Sequence, residues 1–392
     1  MTQTTTTGPT AGLTIGLAGA GRIGSRHAAA LCGLPEVGTL VVADADPSRA
    51  RLLADRLARA PRDAVVDVLA AADAACAQDV GSARVASGEV RVVPVDGVRE
   101  LFSAGLDGVV VAAATDAHAD LVAAALAGRI PVFCEKPLAP DLDGTFQIVA
   151  AADAARVPVQ VGFQRRFDAG NAAAREALTS GRLGWLHTVR SCSFDPAPPP
   201  AAYVPASGGL FRDCAIHDLD LIRFVTGREV VRVTASGANR GDAFFRECGD
   251  VDTGSAMLVL DDGTLGLVSA TRYNAAGYDA RLELFGSKDS IVAGLDERTP
   301  VTALPEQGGC DPERGAPAPD AVPRGAYCGF IERFADAYDA ELRAFMDVVT
   351  GRHGNPCPPE EALEAFYLAE ACELSMREGR IVDTREVRAA WP

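Results

Sequence analysis

From Leu13 to about residue 161, short runs of aliphatic and β-branched residues alternate with longer Ala/Leu/Arg segments whose apolar positions recur at helical spacing. That alternation predicts a parallel sheet with helices on both faces. Strands are expected near 13–18, 38–43, 90–94, 108–113, 131–134 and 157–161, and helices near 22–33, 47–59, 117–128 and 141–155. Segment 60–88 is far longer than the roughly 2–6 residues such a connection needs, so it reads as an insertion carrying an extra helix.

After residue 162 the pattern changes. A helix is expected at 168–181, a strand near 185–194, a Pro-rich loop from Asp195 to Pro205 and a helix at 208–226. Strand-like runs follow at 229–238, 251–260, 264–273 and 278–286, the middle two joined through Asp262-Gly263. Consecutive strands after a helix predict a mostly antiparallel sheet with helices on one face and the other face open. A Gly/Pro-rich loop at 305–325 and two amphipathic helices, 330–350 and 359–378, complete the chain. The fold class is therefore α/β: a doubly wound parallel-sheet domain over 13–161, then an α+β domain with an open, mostly antiparallel sheet over 162–392. Residues 1–12, rich in Thr, Gly and Pro, read as a disordered leader.

Length agrees, because 392 residues are about right for two cores. With 48% hydrophobic and 23% charged residues the composition is globular. No apolar stretch reaches the roughly 18 residues of a membrane span and no signal peptide is recognisable, so the expected location is cytoplasmic. A net charge of −16 disfavours nucleic acid as a partner. The ten cysteines show no C-x-x-C or Cys/His ligand spacing, so they are expected to be reduced and mostly buried thiols, and no metal site is expected. Of the 37 basic residues only Lys136 and Lys288 are lysine. Where Arg serves for charge alone, a lysine marks a place that uses a compact ammonium able to give up its proton.

Gly19-Ala20-Gly21-Arg22-Ile23-Gly24 forms G-x-G-x-x-G where the first strand gives way to a helix. The first glycine permits the turn, the second lets backbone approach a pyrophosphate, and the third lets helix pack on strand. Asp44 ends the second strand at the spacing expected of the carboxylate that binds the adenosine ribose and repels a 2′-phosphate, which favours NAD over NADP. Asp46 is a second candidate for that role, with Arg49 close by, and either aspartate could instead cap the helix that starts at Pro47.

Two further clusters carry chemistry. Cys134-Glu135-Lys136-Pro137 places the rare lysine at the carboxyl edge of the fifth strand, where open α/β sheets bind ligands. Asp213 and His217 stand four apart on an expected helix, so carboxylate and imidazole share one face and form a base with its orienter.

The glycine motif, Glu135-Lys136-Pro137, Gln160-Val-Gly-Phe-Gln-Arg-Arg-Phe167 and the D-x-x-x-H helix together resemble the glucose-fructose/inositol dehydrogenase (Gfo/Idh/MocA) family, from Leu13 to Val382. Asp195-Pro-Ala-Pro-Pro-Pro, the Ser207 to Asp218 stretch and Tyr278-Asp279 most resemble its inositol 2-dehydrogenase branch. The resemblance implies an NAD-dependent Rossmann enzyme, usually tetrameric, with Lys136, Asp213 and His217 as catalytic trio and Arg166, Asp195 and Tyr278 near a polyol. Thr115, His118 and Glu135 then join Gly19, Gly21, Arg22, Ile23, Gly24 and Asp44 in holding the cofactor. One departure is Ser193 and Asp195, where some inositol enzymes carry His and Asn.

The activity so implied is oxidation of a cyclic polyol, myo-inositol first, by hydride transfer to nicotinamide C4 with His217 as base and Lys136 as alkoxide donor. Another sugar or an aminocyclitol precursor is the alternative substrate. A non-catalytic NAD-binding regulator is the alternative class.

Overall fold

The computed structural model describes residues 12–59, 90–301 and 325–390. The expected leader up to residue 11, the insertion at 60–88 and the loop through residue 324 lie outside them. Two compact units emerge: residues 1–162 with Tyr338–Glu360, and Phe163–Ala337 with 361–392. The sequence pattern assigns everything after 161 to one domain, whereas Tyr338–Glu360 returns to the first unit.

In the first unit, β1 (Leu13–Ala18), β2 (Val37–Ala43), β3 (Arg91–Pro94), β4 (Gly108–Val111), β5 (Val132–Glu135) and β6 (Val159–Gly162) form one sheet. Its order, β3-β2-β1-β4-β5-β6, and its wholly parallel pairing are those of a Rossmann fold. The strands read as aliphatic runs because both faces are covered; all four residues of β4 are buried. The returning segment supplies part of that cover. Leu342, Phe345 and Met346, from helix Ala335–Val349, join the core of Ile15, Leu17, Leu40 and Phe133. Gly108 is glycine because a Cβ there would stand 2.8 Å from a Val349 methyl. The outer edge of β6 is blocked as well: the Val161 N–H donates to the Cys357 carbonyl at 2.8 Å, and the Asn355 amide donates to the Val159 carbonyl at 2.8 Å.

The second unit is built on a seven-stranded sheet: β7 (Leu186–Phe194), β8 (Val230–Ala238), β9 (Thr253–Leu260), β10 (Leu265–Thr271), β11 (Asp279–Gly286), β12 (Ser290–Ala293) and β13 (Val382–Asp383). The order is β12-β11-β7-β10-β9-β8-β13, antiparallel except for the central pair β7 and β10. Buried and exposed residues alternate along β9 and β10, so one face packs on helices and the other carries exposed Met257, Leu265 and Leu267.

Two expected helices are divided. Residues 208–226 become a π-helical stretch, Phe211–Ala215, running into helix Ile216–Thr226, and 330–350 becomes Phe330–Arg333 and Ala335–Val349. The short β12 and β13 gave no sequence signal, since four and two residues cannot display a period. Among the described residues eight cysteines are free thiols, of which only Cys248 and Cys328 are exposed, and no helix is long and apolar enough to cross a membrane.

Candidate functional site

In the first unit the glycine loop is determined by contacts no side chain would survive. Gly19 has φ +105°, and a Cβ there would lie 2.4 Å from the Ala112 carbonyl oxygen. A Cβ on Gly24 would lie 1.9 Å from the Gly19 oxygen, so helix Arg22–Cys32 can approach β1 only through hydrogen at that position. Gly21 differs: a Cβ there would meet nothing within 4 Å. It is the N-cap residue of helix Arg22–Cys32, whose first turn holds Arg22 and Ile23, and it contributes no capping side chain, so a ligand can approach the backbone there without meeting one. This is the cradle a pyrophosphate fits.

Asp44 follows β2 and faces this loop. Its carboxylate accepts from the Ala20 N–H at 2.7 Å and from the Asp46 N–H at 2.9 Å, which ties the cofactor loop to the strand end. Asp46 does the other job. Its Oδ1 accepts from both the Ser48 N–H and hydroxyl, capping helix Pro47–Arg59, and those bonds with Ser48 hold its carboxyl below the usual range. Of the two aspartates, Asp44 is the one left beside the glycine loop.

The strand end bearing Lys136 is anchored on both sides. Glu135, before it, meets His27 Nε2 at 2.6 Å, and a Cβ on Gly162 would come within 3.0 Å of the Glu135 carboxylate. After it, the carbonyl of Pro137 lies 2.9 Å from His118 Nδ1, whose Nε2 is 3.1 Å from the Ala113 carbonyl beyond β4. The buried His118 ring thus ties together two strand exits, while Thr115 sits in the turn Thr115–Ala117 between them. Lys136 itself is half-buried.

In the second unit Asp213 and His217 stand where the π-helical stretch meets the helix, an irregularity common at functional sites. The Asp213 carboxylate accepts from Arg272 at 2.7 Å and from the Tyr203 hydroxyl at 3.0 Å. Arg272 also donates to Asp195 at 3.1 Å. The parallel register explains this bridge. Phe194 pairs with Thr271, so the next residues of β7 and β10, Asp195 and Arg272, emerge side by side. Burial raises the Asp195 carboxyl above its ordinary range, with Arg272 opposing the shift. The buried His217 ring packs edge-on against Phe163 at 5.9 Å.

The remaining expected residues divide. Tyr278 is 4% exposed; its hydroxyl lies 3.3 Å from Arg165, which also donates to Ser193 at 2.7 Å and Asp218 at 3.0 Å. Burial pushes the Tyr278 phenol well up. Arg166 belongs to a different network. It grips Asp220 through two nitrogens and Glu361 at 2.9 Å, and burial raises the Asp220 carboxyl. The structure therefore gathers Asp195, Asp213 and Arg272, places Tyr278 with Arg165, and gives Arg166 to Asp220 and Glu361.

Sequence reasoning missed Arg272, Tyr203, Arg165 and Asp218. Arg165 and Asp218 stand inside quoted motifs, next to Arg166 and His217, and could have been weighed there; Arg272 carries no local signal. Nor does sequence spacing show a compact set of metal-type ligands, yet the fold brings His27, Glu135 and Glu341 together, with one candidate ligand atom from each within 4.8 Å of the others.

A six-stranded Rossmann sheet with a glycine loop after β1 and a carboxylate at the end of β2 is the architecture of a dinucleotide-binding domain. Comparison with known proteins agrees. Residues 13–163 match the oxidoreductase family, NAD-binding Rossmann fold, and residues 171–292 match the GFO/IDH/MocA C-terminal domain. The chain belongs to the GFO/IDH/MocA family of NAD-dependent oxidoreductases. It is 35% identical to myo-inositol dehydrogenase Hyg17 of Streptomyces leeuwenhoekii over 94% of this chain and 99% of that protein. It is 37% identical to the myo-inositol 2-dehydrogenase of Thermotoga maritima over 72% of this chain and 81% of that one. The scyllo-inositol dehydrogenase of Lactobacillus casei, crystallised with NAD(H) and scyllo-inositol, superposes with a TM-score of 0.72 at 25% identity, covering 95% of this chain and 99% of that one.

Proposed function

We propose that the protein oxidises one ring hydroxyl of a cyclic polyol, myo-inositol to the 2-keto inosose, with Lys136, Asp213 and His217 as the reacting residues. The observation that carries this reading is the constellation around Asp213: a carboxylate one turn before His217, bridged by buried Arg272 to a second carboxylate, Asp195. Full-length likeness to a myo-inositol dehydrogenase supports the substrate class.

Bound NAD supplies the hydride acceptor, nicotinamide C4. A secondary alcohol releases hydride only as its hydroxyl proton leaves, so the chain must take that proton and stabilise the oxygen left behind. In this reading His217 takes the proton, Asp213 orients the ring and balances its charge, and the Lys136 ammonium donates to the developing alkoxide. Arg272 fixes Asp213, and Asp195 offers its free lone pairs to other ring hydroxyls. Arg166, paired with Asp220, and Tyr278, beside Arg165, stand with Asp195 near the polyol in this reading.

Absorbance at the NADH band over a panel of inositols, sugars and aminocyclitol precursors tests the reading. NADH should form fastest with myo-inositol. Faster turnover of a sugar would transfer the assignment to that substrate, and NAD binding without turnover of any member would make the protein a regulator.

We also propose a cytoplasmic homo-oligomer, dimer or tetramer. Across the outer face of the second sheet, strand pairing lines up Val292, Glu283, Arg190, Leu267 and Met257 in one row, three of them exposed apolar residues. Such a row is costly in water and is commonly covered by another subunit. Light scattering should give a mass of at least two chains, and Leu267→Glu should lower it; a monomer at micromolar concentration would defeat the proposal.

A further inference from the structure

In the first unit a fully buried carboxylate stands without a hydrogen-bond donor. Glu341, on helix Ala335–Val349, is 0% exposed, and neither carboxylate oxygen has a hydrogen-bond partner. It faces His27 and Glu135, with a candidate ligand atom from each of the three within 4.8 Å of the others. His27 is equally buried, edge-on to Phe133 and Tyr338, and its Nδ1 also has no partner.

The surrounding groups can be named element by element. Helix Arg22–Cys32 contributes His27 and Arg26, the latter committed to Asp339 at 2.7 Å. β5 contributes Glu135. β6 contributes only the neutral Gln160, whose amide N–H donates to the Glu341 backbone carbonyl at 2.9 Å. The helix of Glu341 itself adds Tyr338 and Asp339. Of two carboxylates this close, the fully buried one without donors is the costlier to ionise beside the charge of the other.

We propose that Glu341 carries a proton in the folded protein, which leaves the negative charge of the cluster to Glu135, and that His27, against the Glu135 carboxylate, is a positioning residue for the strand end bearing Lys136. The role assigned to Lys136 rests on the dehydrogenase reading; the protonated carboxyl does not. A metal ion would be the other way to neutralise the cluster. The geometry favours a proton, because His27 Nε2 and Glu135 Oε1 stand 2.6 Å apart, whereas two ligands of one tetrahedral ion at about 2.0–2.1 Å would be pushed to roughly 3.3 Å.

The sign of the linkage follows. Burial first, and the Glu135 charge next, raise the Glu341 carboxyl well above its ordinary range, with Arg26 opposing. The stabilisation from keeping it protonated is full below the ordinary carboxylate range. It drains away as pH rises from there toward the folded-state value, because unfolding then releases the proton.

The experiment follows melting temperature against pH for the full-length protein and Glu341→Gln. The wild type should lose several degrees between mildly acidic and alkaline pH beyond what the variant loses, and Glu341→Gln should be the more stable at the alkaline end. Parallel curves would overturn the proposal. If the amide does not fit, Glu341→Met offers a second unionisable side chain for the same comparison. Infrared spectra with isotope-labelled glutamate should show a protonated carboxyl band at neutral pH that the variant lacks; an identical band in both would also overturn it. So would a transition metal found at one equivalent per chain by elemental analysis.

The kinetic arm addresses His27. His27→Ala should lower kcat about tenfold with KM nearly constant, while His27→Gln, which keeps a donor near the Nε2 position, recovers most of the loss. Equal losses would remove His27 as a positioning residue. With no turnover in any form the dehydrogenase reading fails, while the melting and infrared results still decide on the proton.

Discussion

His217→Ala should lower kcat by a factor of about 10²–10⁴, with NAD affinity little changed. The size follows from the base: without it, the hydroxyl proton must leave to water while hydride departs, a loss of roughly 3–5 kcal/mol of transition-state stabilisation. The selectivity follows from where the groups lie. The glycine loop and Asp44, proposed to hold the pyrophosphate and ribose, belong to the first unit, whereas His217 sits on helix Ile216–Thr226 in the second, so removing the imidazole should leave them in place. Steady-state kinetics on the best polyol together with a fluorescence titration of NADH separates the two quantities. Unaltered turnover would take His217 out of the mechanism. A collapse of NADH binding alongside kcat would point to a structural role for the ring, which packs on Phe163.

Lys136→Arg should be severely defective, losing about 10²-fold or more in kcat and behaving closer to Lys136→Ala than to the wild type, although charge is conserved. Guanidinium is planar, does not release a proton near neutrality and presents its donors in a fixed fork, whereas the proposed role calls for one compact donor aimed at one oxygen. The backbone offers no adjustment to absorb the longer head. Glu135 is held by His27 on one side, and the Pro137 carbonyl is held by His118 on the other. Comparing kcat for the three forms at saturating NAD and polyol checks this. Near-normal activity in Lys136→Arg would mean that positive charge alone suffices.

Much of the architecture is legible in the chain. Strands of the first unit are short aliphatic runs, their helices carry a 3.6-residue period, and both signals are local, so the expected and observed bounds of β1 and of helix Pro47–Arg59 coincide. The glycine loop is equally legible, since its requirements concern backbone at three nearby positions. Lys136, just beyond β5, stands out by composition as one of two lysines in a chain whose other basic residues are Arg. Legibility declines where an element is very short, as in β12 and β13, or where a helix changes its winding, as at Phe211–Ala215. Residue types there are compatible with several local conformations, and packing makes the choice.

By itself, then, the sequence determined the order of α and β segments, the cofactor loop with Asp44, and the chemical types at 136, 213 and 217, because periodicity, turn chemistry and composition act over a few residues. Only the tertiary structure decided which residues meet across long separations. It returned Tyr338–Glu360 to the first unit, set Glu341 against His27 and Glu135, and put Arg272 between Asp195 and Asp213. Those encounters depend on sheet order and strand register, which arise from the packing of the whole core and leave no periodic trace along the chain.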